Sequence, residues 1–199
     1  MARRLVIASQ KGGVGKTTVA LNLAVALAER GRRTLLVDLD PQGAIGLSLA
    51  KGDTELAGIA ELLTGSLQPQ DAVLQTRLEG LSLLPRGRLD ATDVDAFEQE
   101  VAHAETLDRL LTGCEAGIDI VLLDTPSGMG RVTSAALAAA DYTLIPFQTE
   151  SLSLRSVGQA LKVIEHLQNT RNPRLRLIGI VPTLVEREKE DTHGVLSEI

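Results

Sequence analysis

Residues 9–18 read Ser-Gln-Lys-Gly-Gly-Val-Gly-Lys-Thr-Thr, and a segment so rich in glycine, closed by a lysine and two hydroxyls, dictates its own surroundings. Glycines let successive backbone N–H groups turn inward onto phosphate oxygens, a lysine reaches the outer phosphates, and a hydroxyl ligates Mg²⁺. Here Gly12, Gly13, Gly15, Lys16 and Thr17 are those parts, with Val14 and Thr18 completing the loop. Such a loop works when a strand delivers it and a helix N-terminus follows, because the helix dipole then favours the anion. The apolar run Leu5–Ala8 predicts the strand, and Thr17–Arg30, apolar at Val19, Leu23 and Leu27, predicts the helix. Gly31 is placed to stop it. The usual pattern also asks for glycine six positions before the lysine. This chain has Gln10 there, followed by an additional lysine, Lys11.

Further short apolar runs occur at Thr34–Asp38, Leu81–Leu84, Ile118–Asp124, Tyr142–Pro146 and Leu175–Val181, with helical segments between them. Strands alternating with helices predict βαβ units, and so an α/β fold: a mostly parallel, twisted sheet flanked by helices, a single P-loop NTPase domain over residues 1–199. Hydrophobic residues make up 44% of the chain but aromatics only 2%, so Leu, Val, Ile and Ala must pack the core, as suits helices layered on a parallel sheet. A second long helix is expected over Leu152–Gln168, with Leu154, Val157, Leu161, Ile164 and Leu167 at helical spacing. Between Asp90 and Asp108 every charged residue is acidic, on helical spacing at Val94, Phe97, Val101 and Ala104, which reads as a solvated helix face. The chain stops inside what looks like a helix begun near Glu188, an ending that suggests truncation.

Cys114 is the sole cysteine, which excludes an internal disulfide and any zinc or iron–sulfur cluster held by cysteines. A net charge of −6 gives no global attraction to nucleic acid or to an anionic membrane, so such binding needs a local patch. The apolar run ending at Ser9 is too short for a signal peptide, and no apolar stretch approaches the roughly 20 residues that span a bilayer. A soluble, cytoplasmic protein is the expectation.

The early lysine in Lys11-Gly12-Gly13-Val14-Gly15-Lys16-Thr17 resembles the deviant Walker A ATPases, the ParA/MinD/Soj group. That resemblance implies ATP and Mg²⁺ as cofactors, and gives Lys11 the role of crossing a dimer interface to touch the partner's nucleotide, comparable to an arginine finger. Asp38-Leu39-Asp40-Pro41-Gln42 is similar to the family's switch I, in which the second aspartate, here Asp40, orients the attacking water; Asp38 belongs either to the Mg²⁺ shell or to the scaffold. Ile118–Asp124 is an apolar strand ending in aspartate, the Walker B arrangement, so Asp124 is expected to hold Mg²⁺ through water beside Thr17. Thr125–Gly130 resembles switch II, which senses the γ-phosphate. Residues 145–154 are similar to the family's strand-Pro-x-Gln-x-Glu-helix segment, and Ile178–Thr183 looks like the strand before the adenine loop, placing Pro182 and Thr183 at the base. The resemblance covers nearly the whole chain.

Relatives that carry an iron–sulfur cluster need paired cysteines and are excluded. Asp-Leu-Asp-Pro-Gln-Gly followed by Pro-x-Gln-x-Glu is closest to the ParA/Soj partition ATPases of bacteria. This implies a nucleoid-associated protein whose ATP-induced homodimer binds double-stranded DNA without sequence preference, and whose hydrolysis a ParB-type protein stimulates during chromosome or plasmid segregation. Arg171, Arg174, Arg176, Arg187 and Lys189 are candidate phosphate-backbone contacts, Arg187 lying near the family's DNA-contacting arginine. The alternatives are a MinD-like positioning ATPase, disfavoured because no basic amphipathic helix closes the chain, and a nucleotide-dependent regulator that does not hydrolyse.

Overall fold

Alternating strands and helices joined by right-handed crossovers have one economical arrangement, a parallel sheet covered on both faces. A computed structural model, which describes residues 2–49, 56–150 and 153–185, has this form. In chain order its elements are β1 (Arg3–Ile7), α1 (Lys16–Glu29), β2 (Thr34–Asp38), α2 (Ala44–Leu49), α3 (Ile59–Leu63), α4 (Pro69–Ala72), β3 (Leu74–Gln75), β4 (Leu81–Leu84), α5 (Val94–Val101), α6 (Ala104–Cys114), β5 (Ile120–Asp124), α7 (Arg131–Ala138), β6 (Tyr142–Gln148), α8 (Ser153–Thr170) and β7 (Arg176–Thr183). The sheet order is β3-β4-β2-β5-β1-β6-β7. Every neighbouring pair is parallel except β3 with β4.

Because successive strand residues face opposite sides, Leu5 and Ile7 of β1 enter one core and Val6 with Ala8 the other. The first core lies under α1; the second lies under α5, α6, α7 and α8. The expected apolar stripe of α1 is corrected here. Ala20, Ala24 and Ala28 are the buried residues, while Val19, Leu23 and Leu27 flank them and are only partly covered. Small side chains at four-residue spacing let the helix lie close against the sheet, and the larger ones fill the margins. Gly31, at φ 74°, ends the helix: its N–H donates to the Ala28 carbonyl and that of Arg32 to the Leu27 carbonyl, a complete Schellman motif.

Other boundaries shift modestly. The acidic stretch forms two helices rather than one, breaking at Ala102–His103; Phe97 and Val101 are buried while Asp95, Glu100 and Glu105 are exposed, the solvated face expected. In α8 the buried positions are Val157, Ala160, Ile164 and Leu167, and Leu161 is exposed instead; Leu152 and the segment from Glu186 onward lie outside the described residues. The antiparallel edge strand β3 and the short helices α2, α3, α4 and α7 had no sequence expectation. Among the described residues no helix is long and apolar enough to cross a membrane.

At the N-terminal edge of the sheet the Arg4 guanidinium, largely buried, is held by the carboxylates of Glu115 and Asp108, the Thr112 hydroxyl at 3.0 Å and the Ala139 carbonyl at 3.2 Å. Removing one partner of a buried ion pair strands the other, so Arg4→Met is expected to cost about 3 kcal/mol in urea unfolding. Arg33→Met, which opens the exposed pair with Asp119, should leave the midpoint unmoved. Equal losses in the two variants would contradict the burial argument.

Candidate functional site

Parallel pairing aligns the C-terminal ends of β1, β2 and β5, with Asp124 in register with both Ile7 and Asp38. Ligands bind at this edge of open α/β sheets. The loop from Ser9 to Gly15 leaves β1 here. Its left-handed residues are Gly13 (φ 73°) and Gly15 (φ 82°), the latter capping α1 with no side chain on the first-turn amides. Those amides are the orphan donors of a helix start, left open as an anion site requires.

Lys16 is buried, and its ammonium donates to Ser127 Oγ at 3.2 Å. Burial lowers its proton affinity, and the charges of Asp124 and Asp40 oppose that effect. Thr17 Oγ1 donates to Asp124 Oδ2 at 2.7 Å. The Asp124 carboxylate is fully buried, and its Oδ1 has no hydrogen-bond partner. Burial pushes its pKa up to about 6 against the stabilising Thr17 hydroxyl and Lys16 charge. An unpartnered carboxylate oxygen beside a hydroxyl, at the mouth of a phosphate loop, is the hard oxygen donor set that suits Mg²⁺. The residues present therefore fit the cation.

Asp38 is also buried, and its pKa is raised to about 7, first by burial and then by Asp124. Its Oδ1 accepts the Asp40 N–H and its Oδ2 the Ile45 N–H, each at 3.2 Å. Both oxygens thus brace the turn that follows β2. Asp40 sits in that turn, half-buried, with Oδ1 accepting the Gln42 N–H at 2.9 Å and its carbonyl accepting the Gly43 N–H at 2.8 Å. It lies close enough to Lys16, Asp38 and Asp124 to bias their protonation. Arg86 closes the turn from outside by donating to the Pro41 carbonyl and filling the space over Gly43. No sequence signal marked Arg86.

Lys11 is placed apart from Lys16. Its ammonium pairs with Glu150 Oε2 at 2.7 Å and with Gln148 Oε1 at 3.4 Å, at the end of β6. Thr183 Oγ1 lies 2.8 Å from the Val14 carbonyl and 2.9 Å from that of Phe147, so it ties the end of β7 to the phosphate loop; Pro182 is exposed beside it. Gly12 faces Ser127, and Thr18 is exposed on the first turn of α1. Arg171, Arg174 and Arg176 are exposed, and Arg176 begins β7, at the opposite edge of the sheet. Arg187 and Lys189 lie outside the described residues. Nothing in the sequence pointed to two contacts between the phosphate loop and the Thr125–Gly130 loop, Lys16 to Ser127 and the Met129 N–H to Gln10.

Known proteins resemble this chain over most of its length. The family described as AAA domain (AAA_31) matches residues 2–177. Chromosome partitioning protein ParA of Caulobacter vibrioides is 37% identical over 204 residues, covering 99% of this chain and 75% of that protein. Chromosome-partitioning ATPase Soj of Thermus thermophilus is 41% identical over 184 residues, covering 92% of this chain and 70% of that one. The crystal structure of cobyrinic acid a,c-diamide synthase from Mycobacterium smegmatis, with bound ATP analog and magnesium, superposes with a TM-score of 0.86 at 37% identity, covering 100% of this chain and 79% of that one.

The two raised carboxyl pKa values have a definite sign. A folded pKa above the unfolded one means that the native state binds protons more tightly, so stability is lost as pH rises through about 6 and about 7. Without nucleotide or divalent cation, the unfolding midpoint should therefore rise as pH is lowered from about 8 to about 5.5, and Asp124→Asn should flatten the slope. A midpoint that falls over this window in the native chain would contradict the burial of these groups.

Proposed function

This chain belongs to the ParA/Soj family of partition ATPases, and from that premise we propose that residues 1–199 form one ATPase domain that binds MgATP, hydrolyses it and uses the cycle to hold and release DNA. The observation that carries the proposal is the Thr17–Asp124 pair, with its unpartnered Oδ1, beside the buried Lys16 at the start of α1. Bound Mg²⁺ supplies charge neutralisation on the outer phosphates, and the chain's own groups do the positioning. The amides of Gly12–Thr18 cradle the phosphates, Lys16 exchanges Ser127 for a phosphate oxygen, and Asp40, fixed in its Asx turn, orients the attacking water. Pro182 and Thr183 flank the base.

Lys11 completes the site of a second copy once it leaves Glu150, so ATP closes a homodimer over two nucleotides. That dimer binds double-stranded DNA non-specifically on the nucleoid, in the cytoplasm, and a ParB-type protein stimulates hydrolysis. The kinship with ParA and Soj supports this cycle; the ion pair at Glu150 supports a resting state in which Lys11 is held in its own subunit.

Phosphate release is expected to fall at least about a hundredfold in Lys16→Ala and in Asp40→Ala, because little besides positioning and charge lowers the barrier. Lys11→Ala should lose turnover while still binding ATP. Mixing Lys11→Ala with Asp40→Ala should restore roughly a quarter of native turnover, since mixed dimers rebuild one complete site from two chains. Additive, unrescued rates in the mixture would exclude action across the interface. ATP, not ADP, should retain the chain on duplex DNA, with retention falling steeply between about 50 and 200 mM salt. Retention that ignores nucleotide or salt would remove the partition cycle, and retention on vesicles instead of DNA would favour membrane positioning.

A further inference from the structure

Gln10 occupies the position where the usual phosphate loop has glycine, and its backbone explains why glycine is dispensable there. The loop takes its left-handed turns at Gly13 and Gly15, and among the described residues the one non-glycine with positive φ is Leu184. A side chain is therefore tolerated at residue 10, and this one is used. Gln10 Oε1 accepts the backbone N–H of Met129 at 3.2 Å. One residue earlier on each strand of contact, the Gly128 N–H donates to the Ser9 carbonyl at 3.0 Å. The Lys16 ammonium reaches Ser127 in the same loop. Three consecutive residues of the segment after β5 are thus bonded to the phosphate loop, and the bond to Met129 depends on a side chain that glycine at position 10 would lack.

The far side of this segment is anchored to α7. Thr133 Oγ1 donates to the Gly128 carbonyl at 3.0 Å. Gly128 itself has φ 90°, a conformation open to glycine and strained for other residues. The loop is consequently set between two supports, the phosphate loop through Ser9, Gln10 and Lys16, and the start of α7 through Thr133 and Ser134, whose hydroxyl lies 3.5 Å from the Met129 carbonyl. Loss of the Gln10 acceptor removes the one hydrogen bond that ties Met129 to the phosphate loop, leaving the Gly128 bonds and the Ser134 contact to the Met129 carbonyl, and so loosens the register between the two loops.

We propose that Gln10 is a positioning residue for ATP hydrolysis: its side-chain carbonyl registers the Thr125–Gly130 loop against the phosphate loop through the Met129 amide. This rests on the reading of the chain as an ATPase. Gln10 acts through the backbone of another segment and touches no reacting atom. Its effect belongs in the turnover step, because the phosphate-binding amides of residues 12–18 and the Lys16 side chain do not depend on it.

The test combines exchange and kinetics on the full chain. Without nucleotide, hydrogen exchange at the Met129 amide should accelerate roughly five-fold in Gln10→Ala and in Gln10→Gly, the loss of about one hydrogen bond, with the thermal midpoint lowered by no more than about 4 °C. Gln10→Glu, which keeps an acceptor at the same reach, should restore protection. With MgATP, Gln10→Ala and Gln10→Gly should lose kcat by roughly the same five-fold with KM within about two-fold of native, the signature of an interaction that matters only after binding. Unchanged Met129 exchange in Gln10→Ala, or a native kcat in a variant whose Met129 amide is freed, would overturn the proposal. Absence of MgATP hydrolysis by the native chain would instead overturn the ATPase reading, and the exchange result would then still decide whether Gln10 holds Met129.

Discussion

A carboxylate with no solvent contact and one oxygen unpaired is costly to keep, and Asp124 is in that condition at the centre of this fold. Its other oxygen is held by Thr17 at 2.7 Å, the residue that follows the phosphate-loop lysine. Everything around this pair follows from keeping the two side chains together: β5 must lie directly beside β1 to bring Asp124 level with the loop's root, and α1 must begin immediately after Gly15 to present the Thr17 hydroxyl. Burial raises the Asp124 pKa to about 6 even against the Thr17 hydroxyl and the Lys16 charge. A cation held on the free oxygen would offset that burial cost and so couple stability of the site to ligand binding.

The strand order makes this pairing possible. Placing β5 between β1 and β2 brings two acidic strand ends, Asp38 and Asp124, side by side, a repulsive juxtaposition that the chain relieves in different ways. Asp38 is occupied by the amides of Asp40 and Ile45 and so shapes the turn that positions Asp40. Asp124 keeps an oxygen free. One carboxylate braces the turn and its neighbour keeps an oxygen unpartnered. The sequence left both roles open for Asp38, and the backbone amides favour the scaffold.

What could be read before the structure was local. Glycines at 12, 13 and 15, apolar runs at Thr34–Asp38 and Leu81–Leu84, and the Gly31 stop are decided by residues within a few positions of one another, and β2 and β4 lie where those runs predicted. The face of α1 could not be read, because an alanine stripe carries less hydrophobic contrast than the Val and Leu that flank it. The two-residue strand β3 is too short to carry a period. In the site, the motif positions were legible and their partners were not. Nothing local links Lys11 to Glu150, Arg86 to Pro41, or Gln10 to Met129; these meet only because the sheet order brings the ends of distant strands together.

The central claim, that the free oxygen of Asp124 and the Thr17 hydroxyl form the cation half of a nucleotide site, is tested most directly by paramagnetic titration. Mn²⁺ replaces Mg²⁺ at such oxygen sites, and its resonance signal is lost on binding. With a non-hydrolysable ATP analogue, the native chain should take up one Mn²⁺ per bound nucleotide, and Asp124→Asn and Thr17→Ala should each weaken that uptake by about tenfold or more. Native-strength Mn²⁺ uptake in both variants would contradict the account.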